Sequence, residues 1–446
     1  MKQSSTVRDL TRGPILRQLI QFSIPLILGD LFQLSYNMVD TIVIGRFAGN
    51  AGLAAVGTCD QIMTLLILGV SGVCIGASVL MGQFFGAHRE DQLLSELKTT
   101  LCMGLLFSLI VMLLGFPFTG VIFRLMSVQP EAFADATVYM RVIFAGLPFT
   151  CLYNIYAAAL RSVGDSKTPV RYLVLSSLLN MAMDLLFVAG LSWGVFGAGL
   201  ATILAQAVSA LLCLRFVNRH VPILRFPLKA LRIDRSLARK TLSYGGITAL
   251  QQCAQPIGNI IIQGTVNTLG VTAAAAFSAA RKIEDIGLLP GRSISSGITA
   301  FTAQNVGAAQ PERTEEGFRK AIRLEFVIGL AVSAAVLLLR RPLMSLFTAD
   351  AAMLEEGVRY FSIIGFCYFL PCLTNGYQGV LRGSGHMTAS LLGSLTQISV
   401  RVLVTLLAAP SLGIPAVGLA CVAGWSAMLL WQIPWRRRMS RRSVSA

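Results

Sequence analysis

The sequence has few charged residues. Only 13% of its 446 residues are Asp, Glu, Lys or Arg, whereas soluble domains average about 25%. The hydrophobic fraction is 54%, and the mean hydropathy is +0.69. A soluble protein of this size would leave much of that apolar surface in water. The composition therefore excludes a soluble domain and indicates a membrane protein.

The sequence also lacks the patterns of metal centres and enzyme sites. Its nine cysteines show no CxxC or other metal-ligand spacing, and most lie inside apolar runs, as small buried residues do. The three histidines, His88, His220 and His386, fall in polar connections. We find no nucleophile constellation and no phosphate loop, and therefore expect no enzyme activity and no cofactor. The first apolar run is too long for a signal peptide and has no small-residue cleavage site.

Long apolar runs predict an all-α membrane protein. A spanning helix needs about 20 mostly apolar residues, and several runs here are longer, so tilted or protruding helices are expected. Twelve runs meet this length, and they lie near 15–45, 52–82, 95–123, 134–162, 168–190, 196–217, 240–268, 273–303, 319–346, 356–382, 388–410 and 413–434.

The positions of the basic residues predict an orientation. When a residue near the end of a span is counted with the adjoining connection, 27 of the 37 Lys and Arg belong to the N-terminus, the even-numbered connections and the C-terminus, six belong to odd-numbered connections and four lie within spans. The positive-inside rule then places both termini in the cytoplasm of an inner (cytoplasmic) membrane. The net charge of +16 is thus a topology signal, and we expect no nucleic-acid partner. Five tail arginines are expected at anionic lipid headgroups: Arg436, Arg437, Arg438, Arg441 and Arg442.

The two halves of the chain form an internal repeat. A shift of 221 residues aligns Gln83 with Gln304 and Asn154 with Asn375, and it also aligns Leu160-Arg161 with Leu381-Arg382. The repeat predicts an N-terminal lobe (1–218), a cytoplasmic connecting loop (219–239) and a C-terminal lobe (240–446), with six spans in each lobe. Because six is even, both lobes enter from the same side. We expect a monomeric carrier whose two lobes enclose a cleft, and not a fixed pore.

The first predicted helix contains an intramembrane acid, Asp40. An ionisable residue within a span is a functional candidate because burying it in lipid is costly. Gln33, Tyr36 or Asn37, and Asp40 recur at helical spacing and give the helix one polar face. Pro25 should bend this helix. The alternative is that Asp40 only marks the helix end.

A second acid, Asp184, lies four residues after Asn180, so both side chains point the same way. Thr202 adds a hydroxyl on the next helix. Carboxylate, amide and hydroxyl oxygens suit H⁺ or a hard cation such as Na⁺. The alternative is that Asn180 and Asp184 only join two helices by hydrogen bonds.

The second half lacks these acids. At the 221-residue shift Asp40 aligns with Ile261, Asn180 with Arg401 and Asp184 with Thr405. A coupling ion is therefore expected in the first lobe. Arg401 stands alone in an apolar helix, where it either faces the cleft or binds a carbonyl. One charged cluster is open to a structural or a functional interpretation: Arg281, Lys282, Glu284 and Asp285.

Several runs resemble the multidrug and toxic compound extrusion (MATE) transporters. They are IPLILGDLFQLSYNMVDTIVIGRFAG, QFFGAHRED, LRSVGDSKTP, QNVGAAQPER and LRGSG, and the resemblance covers about 14–434. It implies an antiporter that exports organic cations or drugs in exchange for H⁺ or Na⁺. Prokaryotic relatives with a first-lobe site match at Asp40, Asn180, Asp184 and Thr202, with Tyr36 and Tyr139 nearby.

Other relatives place acids in the seventh and tenth helices. This sequence has Gln255 and Asn375 in those regions, which favours a DinF-like arrangement. We assign the substrate cleft to Gln33, Asn37, Asn154 and Arg401. A lipid-linked oligosaccharide flippase of the same superfamily is the main alternative. A channel or membrane enzyme is the other, and saturable flux that responds to a counter-ion gradient would distinguish a carrier from a channel.

Overall fold

The structure, a computed structural model, describes residues 7–444, without the side chains of Leu228 and of residues 440–444. Within this range the chain is helical and contains no β-strand. The prediction for Arg441 and Arg442 falls on side chains outside the described part.

Six helices and a π-helical turn make up the first half. They are α1 (Ile15–Phe47), α2 (Gly49–Gly86), α3 (Glu90–Leu125), α4 (Pro130–Ser162), α5 (Lys167–Asp184), the π-helical turn Leu185–Gly190, and α6 (Gly194–His220). Each predicted span of this half corresponds to one of these helices, most of which run a few residues past the predicted ends.

Eight helices make up the second half. They are α7 (Arg235–Asn267), α8 (Val271–Gly287), α9 (Leu289–Gly307), α10 (Pro311–Ser345), α11 (Ala351–Ile364), α12 (Phe369–Gly383), α13 (Met387–Leu412) and α14 (Ile414–Val444). The eighth predicted span is broken at Leu288 into α8 and α9. The tenth is broken between α11 and α12, where the chain bends by 50°.

The twelve-span fold is confirmed, although two spans are broken helices. Among residues 7–444, nine helices are individually long and apolar enough to cross a membrane, and the bent pair α11 and α12 makes a tenth span. The helices α7, α8 and α9 are outside this set because two of them are short and all contain polar residues.

Several helix ends follow from local sequence. Pro130 and Pro311 occupy the first position of α4 and α10, where the missing N–H costs no helical bond. Gly270, between α7 and α8, has a φ of +108°, and Gly413, between α13 and α14, has a φ of +67°. Both angles favour glycine, so each residue permits a tight connection between two helices.

The N-terminal unit comprises Pro25–Gly246 and the described residues before Leu10. One of its cores is built around Tyr139, Phe144 and Ile44. The short segment at the start of α7 belongs to this unit because Gly245 packs directly on α2: a Cβ added to Gly76 would lie 2.4 Å from the Gly245 nitrogen.

The C-terminal unit comprises Leu10–Ile24 and the chain from Ile247 onward. Its core includes Phe277, Tyr360 and Tyr368. The start of α1 belongs here because a Cβ added to Gly297 of α9 would lie 2.9 Å from Ser23 Oγ.

The compact units therefore differ from the sequence lobes 1–218 and 240–446. Each of α1 and α7 is a continuous helix whose first part packs in the other unit. Both boundaries fall at Pro25 and Gly246, which are partners in the 221-residue repeat.

Candidate functional site

Two acidic side chains of the N-terminal unit lie side by side. Asp40 comes from the second half of α1, and Asp184 is the last residue of α5. Their carboxyl groups are close enough for a hydrogen bond through a proton on either one. Both Oδ1 atoms are buried and accept no hydrogen bond from another group in the described part of the chain. These two oxygens thus lack the neutral donors that would stabilise two separate carboxylates.

Asn180 joins this pair to the next helix. In the amide orientation that satisfies its hydrogen bonds, its nitrogen donates to Asp184 Oδ2 at 3.2 Å, and its oxygen accepts from the backbone N–H of Thr202 at 3.3 Å. The predicted neighbours Asn180, Asp184 and Thr202 are therefore brought together. The Thr202 hydroxyl donates to the Ala198 carbonyl at 3.0 Å, so only its lone pairs are free for a cation.

A π-helical turn, Leu185–Gly190, follows Asp184 directly. Such turns insert extra backbone into a helix and are frequent at functional sites. Between Asp184 and Gly194 the first half has two more residues than the second half has between Thr405 and Gly413. The turn accommodates the two extra residues of the first half, and it lies directly after Asp184.

The two tyrosines predicted near the acids lie near them. Tyr36 and the buried Tyr139 both interact electrostatically with Asp40 and Asp184. The same neighbourhood contains a third acid that the sequence analysis missed: Asp60 of α2 is exposed and interacts with Asp40 and with both tyrosines. Its position in an apolar run was the signal, because any ionisable residue within a span is a candidate.

The ligand set is limited to two carboxyl groups. Among the described residues, no group of three His, Cys, Asp or Glu lies close enough to hold one metal ion. Asp60 is thus a neighbour of the Asp40–Asp184 pair and not a third ligand. The pair could hold a shared proton as it stands. A Na⁺ ion would also draw on Thr202 Oγ1 and would require the Asn180 amide to turn its oxygen toward the carboxyls.

The four residues assigned to a substrate cleft do not form one cluster within a unit. Gln33 and Asn37 are exposed on α1. Asn154 of α4 uses its amide to donate to the Thr150 carbonyl at 2.8 Å. Arg401 belongs to the C-terminal unit, where it lies on α13.

The charged cluster at the end of α8 has two parts. Asp285 binds Arg292 at 3.3 Å, and this pair is half exposed. Glu284 is buried and accepts a hydrogen bond from Tyr360 at 3.2 Å. Arg281 donates to Asn259 at 2.7 Å.

A second acid missed from sequence is Glu325 of α10, in the C-terminal unit. It is fully buried, and both of its carboxyl oxygens lack a hydrogen-bond partner in the described structure. It lies against α9 and α12: a Cβ added to Gly291 would be 3.2 Å from its Oε2 and 3.3 Å from Asn375 Nδ2. It lies within the predicted span 319–346, and this position in an apolar run was the signal that could have found it.

Comparison with known proteins agrees with this architecture. The family model MatE matches residues 25–186 and 248–407, and these two matches begin near the two unit boundaries. The chain is 26% identical to the "Probable multidrug resistance protein YoeA" of Bacillus subtilis, over 97% of both chains. It is also 26% identical to the "FAD transporter" of Shewanella oneidensis, over 80% of both chains.

A solved structure has the same fold. The "outward-facing conformation of a multidrug resistance MATE family transporter of the MOP superfamily" superposes with a TM-score of 0.92 at 24% identity and covers 100% of both chains. The family match spans well over half of the sequence, and it includes Asp40 and Asp184. The chain is therefore a member of the MATE family of multi-pass membrane transporters, a family of carriers and not of enzymes.

Proposed function

We propose that this protein is an antiporter that exports organic solutes, chiefly organic cations and drugs, in exchange for H⁺ or Na⁺ bound at Asp40 and Asp184. The observation that supports the proposal most strongly is the close contact of these two carboxyl groups, each with an unpartnered Oδ1, inside helices that cross the membrane. Asn180 and Thr202 complete the site.

The physical reason is charge. Two carboxylates in contact in a medium of low dielectric constant cannot both stay charged without a counter-ion or a shared proton. The site must therefore hold either a proton or a cation. An ion that binds here and leaves on the other side of the membrane moves down its electrochemical gradient, and that gradient provides the free energy for export.

The ion site is on the same helix as Pro25. Proline removes one backbone hydrogen bond from α1 and allows that helix to bend. The boundary between the two compact units also falls at Pro25. Occupancy of Asp40 would thus change the conformation of α1, and this change couples the ion to the opposite movement of the solute by alternating access.

The substrate class comes from the relatives. YoeA is named as a multidrug resistance protein, and this supports drugs as substrates. The Shewanella relative is named as an FAD transporter, and this supports an anionic cofactor as a second candidate substrate. No relative reported above is a flippase for lipid-linked oligosaccharides, so that alternative is not favoured.

Efflux from proteoliposomes tests the proposal. The protein is reconstituted with a fluorescent organic cation inside the vesicles, and a pH gradient or a Na⁺ gradient is imposed separately. Wild-type efflux should follow one of the two gradients, while Asp40→Asn and Asp184→Asn should show no coupled efflux. Asp91→Asn, at the exposed start of α3, is the matched control and should behave as wild type. Coupled efflux by Asp40→Asn at normal expression would refute the proposal.

The location proposed for the protein is the inner (cytoplasmic) membrane, with both termini in the cytoplasm. A cysteine introduced into the connection between His220 and Arg235 should react with a membrane-impermeant reagent only after the cells are opened. Labelling of intact cells at that position would contradict the topology.

A further inference from the structure

The repeat places two arginines in the C-terminal unit at positions that correspond to Asp60 and Asn180 of the N-terminal unit. At the 221-residue shift, Asp60 corresponds to Arg281, Asn180 to Arg401 and Asp184 to Thr405. Tyr139 keeps its identity as Tyr360. The scaffold is thus duplicated, but the charge of the polar site is reversed.

The two arginines converge in the structure. Arg281 of α8 and Arg401 of α13 both donate through Nη1 to the same oxygen, Oδ1 of Asn259 on α7, at 2.7 and 3.3 Å. One neutral amide oxygen therefore holds two guanidinium groups side by side. Like charges repel at this range, so this arrangement needs negative charge nearby.

The unit supplies only part of that charge. Glu284 attracts both Arg281 and Arg401 and is buried beside them. Asp285 is committed to the exposed Arg292. One carboxyl facing two guanidinium groups leaves an excess of one positive charge. An uncompensated charge in a buried site is costly, and an anion would remove that cost.

Arg401 has an edge available for such an anion. It is only 8% exposed, yet its Nε and Nη2 have no hydrogen-bond partner in the described structure. The Cys421 thiol lies near it but is a weak acceptor. Nε and Nη2 form one side of the guanidinium, which presents two parallel N–H groups. This geometry matches the two oxygens of a carboxylate or phosphate.

Arg281 and Asn259 provide access to the site. Arg281 and Asn259 are partly exposed, whereas Arg401 and Glu284 are buried. An anionic group can therefore approach at Arg281 and extend to the free edge of Arg401. Tyr360, hydrogen-bonded to Glu284, holds that carboxylate in place.

We propose that Arg281 and Arg401 form an anion-binding site in the C-terminal unit, which takes a carboxylate or phosphate group of a small organic solute. The site is separate from the ion site of Asp40 and Asp184. Its consequence for transport rests on the proposed export function: the exported solutes then include compounds with an acidic group, and not organic cations alone.

Direct binding tests the proposal without transport. Full-length protein in a neutral detergent is titrated calorimetrically with benzoate, with inorganic phosphate and with benzylammonium as a cationic control. Saturable binding of benzoate or phosphate is expected. Binding of benzoate would show that the site takes an organic carboxylate, and binding of phosphate would show that it takes a free inorganic anion. Absence of binding in both arms would overturn the proposal.

Substitutions locate the site. Arg401→Gln should weaken anion binding about tenfold or more, since it removes a charged donor of two hydrogen bonds. Arg359→Gln, at an exposed arginine that pairs with Glu356 on α11, is the matched control and should bind as wild type. Equal weakening in both variants would refute the assignment.

Two further variants keep the result unambiguous. If Arg401→Gln fails to fold, Arg401→Lys is tested instead, because it retains the charge but loses the two parallel N–H groups. Arg401→Lys should bind the anion more weakly than wild type. Unchanged affinity for the anion would overturn the proposal. Asp40→Asn should bind benzoate normally even if it transports nothing. Failure of the proposed antiport and failure of the anion site are therefore separate results, and loss of benzoate binding in Asp40→Asn would contradict separate sites.

Discussion

Replacing Gly76 by alanine should destabilise the N-terminal unit, because α2 and the start of α7 touch through backbone atoms there. A Cβ at Gly76 would lie 2.4 Å from the Gly245 nitrogen and 2.6 Å from its Cα. Carbon atoms in favourable contact are about 3.5–4.0 Å apart. The helices would have to separate by about 1 Å, and backbone cannot rotate away as a side chain can.

The magnitude follows from two opposed effects. Overpacking of a well-packed interior costs about 1–3 kcal/mol. Glycine to alanine within a helix gains about 0.5–1 kcal/mol in backbone entropy. Gly69 lies on the same helix, and a Cβ there meets nothing within 4 Å. Gly69→Ala should show only the gain in stability from backbone entropy. The difference in stability between Gly76→Ala and Gly69→Ala therefore gives the cost of overpacking.

Thermal unfolding of purified protein in detergent, followed by loss of the monodisperse peak in size-exclusion chromatography, measures this difference. Gly76→Ala should melt below wild type, and Gly69→Ala should melt at or above it. The reasoning would be refuted if Gly76→Ala melted as high as Gly69→Ala, because α2 and α7 would then have room to separate.

Three other predictions follow from buried or clustered acids. Glu325→Met should raise the melting temperature, since it removes a buried carboxyl group without partners that costs about 1–3 kcal/mol; a lower melting temperature would show that the carboxyl has a stabilising partner. Asp60→Asn should reduce the apparent affinity for the coupling ion but leave efflux coupled, because Asp60 is a neighbour and not a ligand; complete uncoupling would place Asp60 in the site. Asp40→Asn, Asp184→Asn and the double variant should lose ion binding to the same extent, and losses that simply add would indicate two independent sites.

The number of spans and the pairing of Asn180 with Asp184 could be predicted from the sequence. The length of each apolar run determines whether it can cross the membrane. A four-residue spacing places two side chains on one face of a helix. The contact of Asp40 with Asp184 needed the fold, because 144 positions separate them in the sequence and no local pattern determines which helices pack together.

The breaks in the eighth and tenth spans were not predicted. The helix after each break has a proline in its first turn, Pro290 in α9 and Pro371 in α12, but hydropathy does not distinguish a bent pair from one straight helix. The π-helical turn after Asp184 also has no periodic signal. The prolines and the two extra residues are thus local signals, but apolar length and helical periodicity do not register them.

The rule that an ionisable residue within a span is a functional candidate applies to single residues, and it does not find a pair such as Arg281 and Arg401. Asp60 and Glu325 are both ionisable residues inside predicted spans and could have been found by that rule alone. Arg281 and Arg401 are 120 positions apart in the sequence. Their convergence on Asn259 appears only in the structure.

Coupling of the ion at Asp40 to export is tested most directly by the ion dependence of efflux by wild type and by Asp40→Asn in the same proteoliposomes. Wild type should export an organic cation under an imposed H⁺ or Na⁺ gradient and stop when the gradient is collapsed, whereas Asp40→Asn should remain folded and respond to neither gradient. Gradient-driven efflux by Asp40→Asn at the wild-type rate would contradict this coupling.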